Sequence, residues 1–314
     1  MNLVEMNTSA NGVFSIDVEA LKKCGVDEQK SDVDERKSGA DGILVIGIGN
    51  IGGKIADLLL RSGLPPTMLQ IVDGDTVEAH NIPNQLCGTV EGVPKVTGFK
   101  RAIATTLGRS TGEAIVSHKL FLGSDEYPIQ RQIEMCENKI IVFAIDNTEC
   151  VKDIYNNIIS KAENIPLIIV GNFSRFLRAK KGSGAIGAVT MLPGKGYYRS
   201  FFNNFYQNGK LYKEEEPSAC RLPNASFAGS VVANLLVGRL LNYLRSLNEQ
   251  LPIEVINSPE AMAYAVGQNL TVNEDEEVTT YPLEHSVVNL TVNLHTGLTT
   301  PSVLYASNDF DPID

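Results

Sequence analysis

Gly47-Ile48-Gly49-Asn50-Ile51-Gly52 is the segment of this 314-residue chain with the clearest capacity for chemistry. It follows the apolar run Ile43-Leu44-Val45-Ile46 and opens a helical period from Lys54 to Ser62, so it marks a strand-to-helix turn. At such a turn glycine lets the backbone bend tightly and approach a phosphate, while the helix start supplies N–H groups and a positive dipole end. Asp73 follows Gly52 by twenty-one positions, at the end of a second apolar run, and is placed for ribose hydroxyls. This much indicates a nucleotide site and leaves a dinucleotide and ATP equally open.

These residues need strands and helices to position them. Apolar runs at Ile43–Ile46, Met68–Val72, Ala114–His118, Ile140–Ile145 and Pro166–Val170 read as strands, with a further strand at Ala188–Leu192. Helical patterns run from Lys54 to Ser62, Pro94 to Leu107, Thr148 to Ala162 and about Ala225 to Leu247. The alternation implies βαβ units: an α/β, doubly wound, Rossmann-like and mostly parallel sheet. Residues 1–40 read as a flexible N-terminal segment, because ten of the sixteen residues from Lys22 to Lys37 are charged. Residues 41–250 then form the nucleotide-binding domain. Residues 251–314 form a C-terminal β extension, in which Val287 to Gly297 reads as antiparallel strand.

Composition narrows the class. The 27 Lys+Arg against 37 Asp+Glu give a net charge of −10, which disfavours nucleic acid as main partner. The start of the chain lacks the basic and apolar regions of a signal peptide, and the uncharged stretch Ala225–Gly238 is too short to span a bilayer. Five cysteines without a C-x-x-C pair read as reduced thiols, so the expectation is a cytoplasmic protein without membrane contact. His80, His118, His285 and His295 show no metal-ligand spacing, and Glu274–Glu277 reads as a solvated turn.

The order of the remaining motifs is more specific. Asp73-Gly-Asp75-Thr-Val-Glu78-Ala-His80-Asn81-Ile-Pro-Asn84-Gln85 is followed by Gly92-Val-Pro-Lys95 at a helix start and by Asp146-Asn147 after a strand. With the glycine turn, this succession resembles the adenylating family that includes ThiF, MoeB and the ubiquitin-activating enzymes, over roughly residues 42 to 247. The ending Asn293–Pro301 is similar to that of ThiF-like proteins from plasmid and phage operons. The resemblance implies ATP-dependent adenylation of the C-terminal glycine of a small β-grasp ubiquitin-like or sulfur-carrier protein, in a homodimer. It implies a nucleotide pocket of Gly47, Gly49, Asn50, Gly52, Asp73, Asp75, Asn81, Gln85 and Asn147, with Lys95 on the phosphates and Asp146 on Mg²⁺. Physical reasoning agrees on the last two, since Mg²⁺ is usually held by one or two carboxylates plus phosphates and a lysine meets phosphate as a point charge.

The chain also departs from the family. Asn84 stands where the family carries arginine, and Asn50 where it carries the second of two glycines. Lys54, Arg61, Arg101 or a residue of a second subunit would then have to supply the missing charge. A catalytically weak or inactive nucleotide-binding scaffold and an NAD-dependent oxidoreductase are the alternatives. The family's zinc cysteines are absent, Tyr197-Tyr-Arg-Ser200 standing where one pair often lies, so no structural zinc is expected. Cys220 precedes the long helix as the reactive cysteine does in the shorter ubiquitin-like activating enzymes. Arg221 and the helix start would lower its pKa, which makes a thioester on Cys220 the expectation. The aromatic tract Tyr197–Tyr212, with Arg199 and Lys210, suits either a grip on a partner's tail or a loop covering the sheet.

Overall fold

The structure, a computed structural model, describes residues 15–24, 39–88, 90–145, 147–174, 186–192, 198, 202, 225–249, 286–293 and 299–306. Its centre is the strand Gly42–Ile46 (β1), buried along its whole length. A continuous Ile/Leu/Val run of this kind is what a parallel strand covered on both faces requires. Leu69–Val72 (β2) and Lys139–Phe143 (β4) flank it in parallel, so that Val45 pairs with Ile71 on one side and Val142 on the other. Val116–His118 (β3) extends the sheet beyond β2, and Leu167–Ser174 (β5) extends it beyond β4, both parallel. Ile186–Leu192 (β6), Ser286–Asn293 (β7) and Thr299–Ala306 (β8) continue it antiparallel, giving the order β3-β2-β1-β4-β5-β6-β7-β8. Thus the parallel doubly wound half carries an antiparallel extension drawn partly from the end of the chain.

Two apolar layers cover the sheet, and the period-2 alternation along β1 divides them. Ile43 and Val45 face Asn50–Arg61 (α2), Lys95–Leu107 (α3) and Ala225–Glu249 (α7), through Ile55, Leu59, Phe99, Val232, Leu236 and Leu240. Leu44 and Ile46 face Ile129–Cys136 (α5) and Thr148–Asn157 (α6), through Ile133, Val151 and Ile154. α7 packs on α2, β5 and β6, so the apolar stripe of that long helix is spent on the core of its own chain. Tyr198 and Phe202 of the aromatic tract close the second layer. Phe202 stacks on Tyr155 at 4.0 Å, and the Tyr198 hydroxyl donates to the Ile165 carbonyl at 2.8 Å. At these two positions the tract covers the sheet.

Residues 15–24 depart from the flexible lead-in expected of 1–40. Val18–Lys23 (α1) is a helix capped by Asp17, whose carboxylate accepts from Glu19 N at 2.8 Å. Ile16, Ala20, Leu21 and Cys24 are buried, and the Cys24 thiol donates to the Tyr243 hydroxyl of α7. The charge density around these residues hides a short apolar face. A second difference lies at Ala114, which ends the helix Arg109–Ala114 (α4) instead of starting a strand. Gly108, at φ 102°, breaks the preceding helix and lets a new one begin before β3. Among the described residues no helix is long and apolar enough to cross a membrane.

Candidate functional site

The carboxyl ends of β1, β2 and β4 open into one cavity of about 420 Å³, at the place where the chain leaves β1 for one side of the sheet and later fills the other. Open α/β sheets bind ligands at such switch points, and the volume falls in the small-molecule range. The three motif glycines serve three different ends. Gly47 takes φ 91°, and a Cβ there would lie 2.8 Å from the Ala144 carbonyl oxygen. A Cβ on Gly52 would lie 1.8 Å from the Gly47 carbonyl oxygen, so only glycine lets α2 sit this close to the turn. At Gly49, which caps α2, a Cβ would meet only the Gln85 amide nitrogen at 4.0 Å; its bare face is the approach to the cavity.

Asp73 is fastened to that turn. Its carboxylate oxygens accept from Ile48 N at 2.7 Å and from Asp75 N at 2.8 Å. Burial pushes its pKa up, against the pull of Lys95 and these two N–H donors, and the net result is above the ordinary carboxylate value. A carboxylate has about four lone-pair directions, so acceptor capacity remains for ribose hydroxyls.

Lys95 is the first residue of α3 and is nearly buried, at 8% exposure. Its ammonium donates to Asp75 Oδ2 at 2.7 Å, and its backbone N–H donates to the Asp75 carbonyl at 2.9 Å. Burial pulls its pKa down, but Asp73 and Asp75 outweigh this and hold it above the ordinary lysine value. The lysine is therefore a fixed cation facing two carboxylates. An arriving phosphate has to draw it from Asp75.

Asn81 ends a single 3₁₀ turn, Ala79–Asn81, where its side-chain oxygen accepts from Glu78 N at 2.9 Å. What it then offers a ligand is N–H donation. Gln85 accepts from the Cys87 thiol at 3.7 Å and lies beside Gly49. Asn147 lines the cavity and caps α6, accepting from Cys150 N at 3.1 Å, a local role that its type and position favour. Asn50 is 3% exposed, with its amide oxygen turned against α7: a Cβ on Gly229 would lie 2.4 Å away. Asn50 also lines the cavity, so it stands between α7 and the site. Asn84 is buried and does not line the cavity. Asp146 and Cys220 lie outside the described residues, as do Arg199, Lys210, Arg221, Glu274–Glu277, His285 and His295.

The structure adds residues that spacing did not single out. Phe121, 53% exposed between buried Leu120 and Leu122, forms part of the rim and lies so close over Gly74 that a Cβ there would be 2.5 Å from the ring. The loop bearing Phe121 is shaped by fully buried Gln132, which accepts from Gly123 N at 2.7 Å and donates to the carbonyls of Ser124 and Tyr127. His80 and Glu78 pair at 3.1 Å in the wall. Cys150 is an exposed thiol at the cavity, while Cys24, Cys87 and Cys136 are buried. Glycine after Asp73 and the apolar Leu-Phe-Leu beyond β3 were the available signals for the rim. Of the three cations in this sequence proposed to replace an arginine, Arg61 pairs with Asp57 in the last turn of α2 and Arg101 is exposed on α3. Lys54 bonds to Asn50. Among the described residues, no group of three or more His, Cys, Asp or Glu could hold a metal ion.

Comparison with known proteins completes the description. Two of the solved structures similar to the chain illustrate the likeness. Escherichia coli MccB is 13% identical with a TM-score of 0.46, covering 86% of this chain and 64% of its own. TcdA (CsdL) is 16% identical with a TM-score of 0.44, covering 67% of this chain and 88% of its own. The chain therefore spans about two thirds of the length of the MccB chain. No curated protein sequence matches it. The model of the ThiF family matches residues 28–274, which takes in the glycine turn, Asp73, Lys95 and the whole cavity. The chain belongs to the ThiF family.

Proposed function

We propose that the protein uses ATP to adenylate the C-terminal glycine of a small ubiquitin-like or sulfur-carrier protein. The observation that carries this reading is the meeting of the bare Gly49 turn, the anchored Asp73 carboxylate and the Lys95 ammonium in one cavity. Asp73 takes the ribose hydroxyls, the amides at the start of α2 take phosphate oxygens, and Lys95 leaves Asp75 for the phosphates. Mg²⁺ would be held by the phosphates together with Asp146, whose neighbours Ile145 and Asn147 both line the cavity; it supplies charge neutralisation on the leaving pyrophosphate. A site completed by the nucleotide itself does not require three protein ligands.

No general base is needed, because a C-terminal carboxylate is already ionised at neutral pH. Its oxygen forms a bond to the α-phosphorus as the bond from that phosphorus to the β-bridging oxygen breaks, and pyrophosphate leaves. The protein's contribution is placement and charge stabilisation. Transfer of the acyl group to the Cys220 thiolate, with release of AMP, is the proposed second step, and a homodimer is the proposed assembly. An NAD-dependent oxidoreductase would use the glycine turn and Asp73 but leaves Lys95 without a role. The test is incubation with ATP·Mg²⁺ and a small carrier ending in Gly-Gly, followed by intact-mass measurement. Gain of one AMP on the carrier, absent with NAD, is the expected result. An unmodified carrier across the candidates encoded beside the protein overturns the proposal.

A further inference from the structure

Phe121 is an aromatic ring left half exposed in the wall of the site, between Leu120 and Leu122, which are buried; all three line the cavity. Its place is set by Gly74. A Cβ on that glycine would lie 2.5 Å from Cδ2 of the ring and 2.6 Å from both Cε2 and Cγ. Near-equal distances to three successive ring atoms put the glycine over the face of the ring, since an atom approaching the edge would meet one carbon well before its neighbours. One face of Phe121 therefore rests on the Gly74 backbone, and the opposite face supplies its exposed surface.

The ring is held before any ligand arrives. Leu120 and Leu122 anchor it from both sides in the second apolar layer, and Gln132 of α5 ties down the turn that follows, through Gly123 N and the carbonyls of Ser124 and Tyr127. A surface fixed in advance loses little entropy when it is covered. The cavity is also divided by chemistry. The Gly49 turn and Lys95 belong to the starts of α2 and α3, which cover one face of the sheet. Ile46, Val72, Leu120, Leu122 and Ile154 line it from the apolar cluster on the other face. Asp73 ends β2 between the two, next to Gly74. A nucleotide with its ribose on Asp73 and its phosphates toward Lys95 has only its base left for the apolar side, and a base is the part that an aromatic face attracts.

We infer that Phe121 is a base-stacking residue of this site, its free face receiving the purine of the nucleotide whose ribose Asp73 takes, with Gly74 as the positioning residue that lets the ring lie flat. This rests on the ATP reading of the same cavity. It adds a selection for purine over pyrimidine, because the larger ring system covers more of the aromatic face.

The experiment titrates the full chain calorimetrically with adenosine, ATP·Mg²⁺ and UTP·Mg²⁺, as wild type, Phe121→Ala, Phe121→Tyr, Gly74→Ala and the double variant Gly74→Ala with Phe121→Ala. Phe121→Ala should lower the affinity for adenosine and for ATP by the same factor, at least about fivefold, as expected for loss of one stacked base. The preference for ATP over UTP should narrow with it, and Phe121→Tyr should keep both affinity and preference. Gly74→Ala should reproduce the loss by displacing the ring, and should add nothing once Phe121 is alanine. Thermal melts should match wild type for Phe121→Ala, because the ring is half exposed. Unchanged adenosine affinity in Phe121→Ala, equal losses for ATP and UTP, or additive effects of the two substitutions would overturn the stacking role and leave the ATP reading standing. A wild-type protein that binds neither adenosine nor ATP overturns that reading and this inference together.

Discussion

Replacing Lys95 by Met removes the cation at the start of α3 while keeping most of the side chain's volume, and the structure sets the size of the effect. Lys95 Nζ lies 2.7 Å from Asp75 Oδ2, but that carboxylate is about half exposed. Solvent screening therefore limits the pair to about 1 kcal/mol in the empty protein. A charged hydrogen bond to phosphate is worth about 1.5–3 kcal/mol. The lysine has to give up the first to gain the second, so the difference available to ATP is about 0.5–2 kcal/mol, or roughly 2- to 30-fold in affinity. Titration of wild type and Lys95→Met with ATP·Mg²⁺ and with adenosine measures this directly. ATP affinity should drop within that range, and adenosine affinity should change by less than about twofold, because the proposed site gives the phosphates to Lys95 and the ribose to Asp73. Equal losses for both ligands would refute the reasoning, since they would mean that the substitution deforms the cavity. Unchanged affinity for ATP would remove Lys95 from the phosphate site.

The other predictions follow from single contacts. Gly52→Ala should destabilise the fold by about 1–3 kcal/mol through overpacking, because the new methyl group meets the Gly47 carbonyl oxygen; Gly49→Ala should melt near wild type and lose ATP binding. Thermal melts alongside nucleotide titrations separate the two, and equal melting losses would contradict it. Cys150 should be the fastest of the four described thiols to react with a maleimide, and ATP·Mg²⁺ should slow it; peptide mapping in a Cys220→Ala background reads this, and labelling unaffected by ATP would place the nucleotide elsewhere. ATP affinity should fall on acidification, because Asp73 protonates above the usual carboxylate value near ~3.9 and then accepts ribose hydroxyls more weakly; affinity that stays flat through the acid range would contradict that assignment.

How much was legible in the sequence depends on where the information sits. β1, most of β4 and the first half of β5 are continuous apolar runs, and β2 is broken only by half-buried Gln70, because both faces of the parallel sheet are covered; such runs can be read without tertiary context. α1 was not, because its buried residues Ala20 and Leu21 are followed by a dense charge run that dominates the window. α5 was missed for a related reason: it is eight residues long, and Gln132, one of its fully buried residues, is polar. At the site, the glycine turn and Asp73 were readable because backbone geometry and strand ends impose fixed spacings, and Lys95 through the likeness of its motif to the family's. Phe121, His80 and Cys150 reach the cavity from a loop, a 3₁₀ turn and the start of α6, and only the folded sheet brings them together. Asn50 lines the cavity, and Gly229, far along the chain, decides where its amide goes, which no local spacing shows.

Adenylation is reversible, so exchange of labelled pyrophosphate into ATP reports on bond making at the α-phosphorus without any downstream acceptor. Measured with a carrier ending in Gly-Gly, wild-type protein should catalyse exchange that depends on the carrier and on Mg²⁺, and Lys95→Met should reduce it by roughly the loss of phosphate binding worked out above, about 2- to 30-fold or more if the bond strengthens in the transition state. No exchange at saturating carrier and ATP, from protein that binds ATP in this cavity, would contradict adenylation and leave a nucleotide-binding member of the family without turnover.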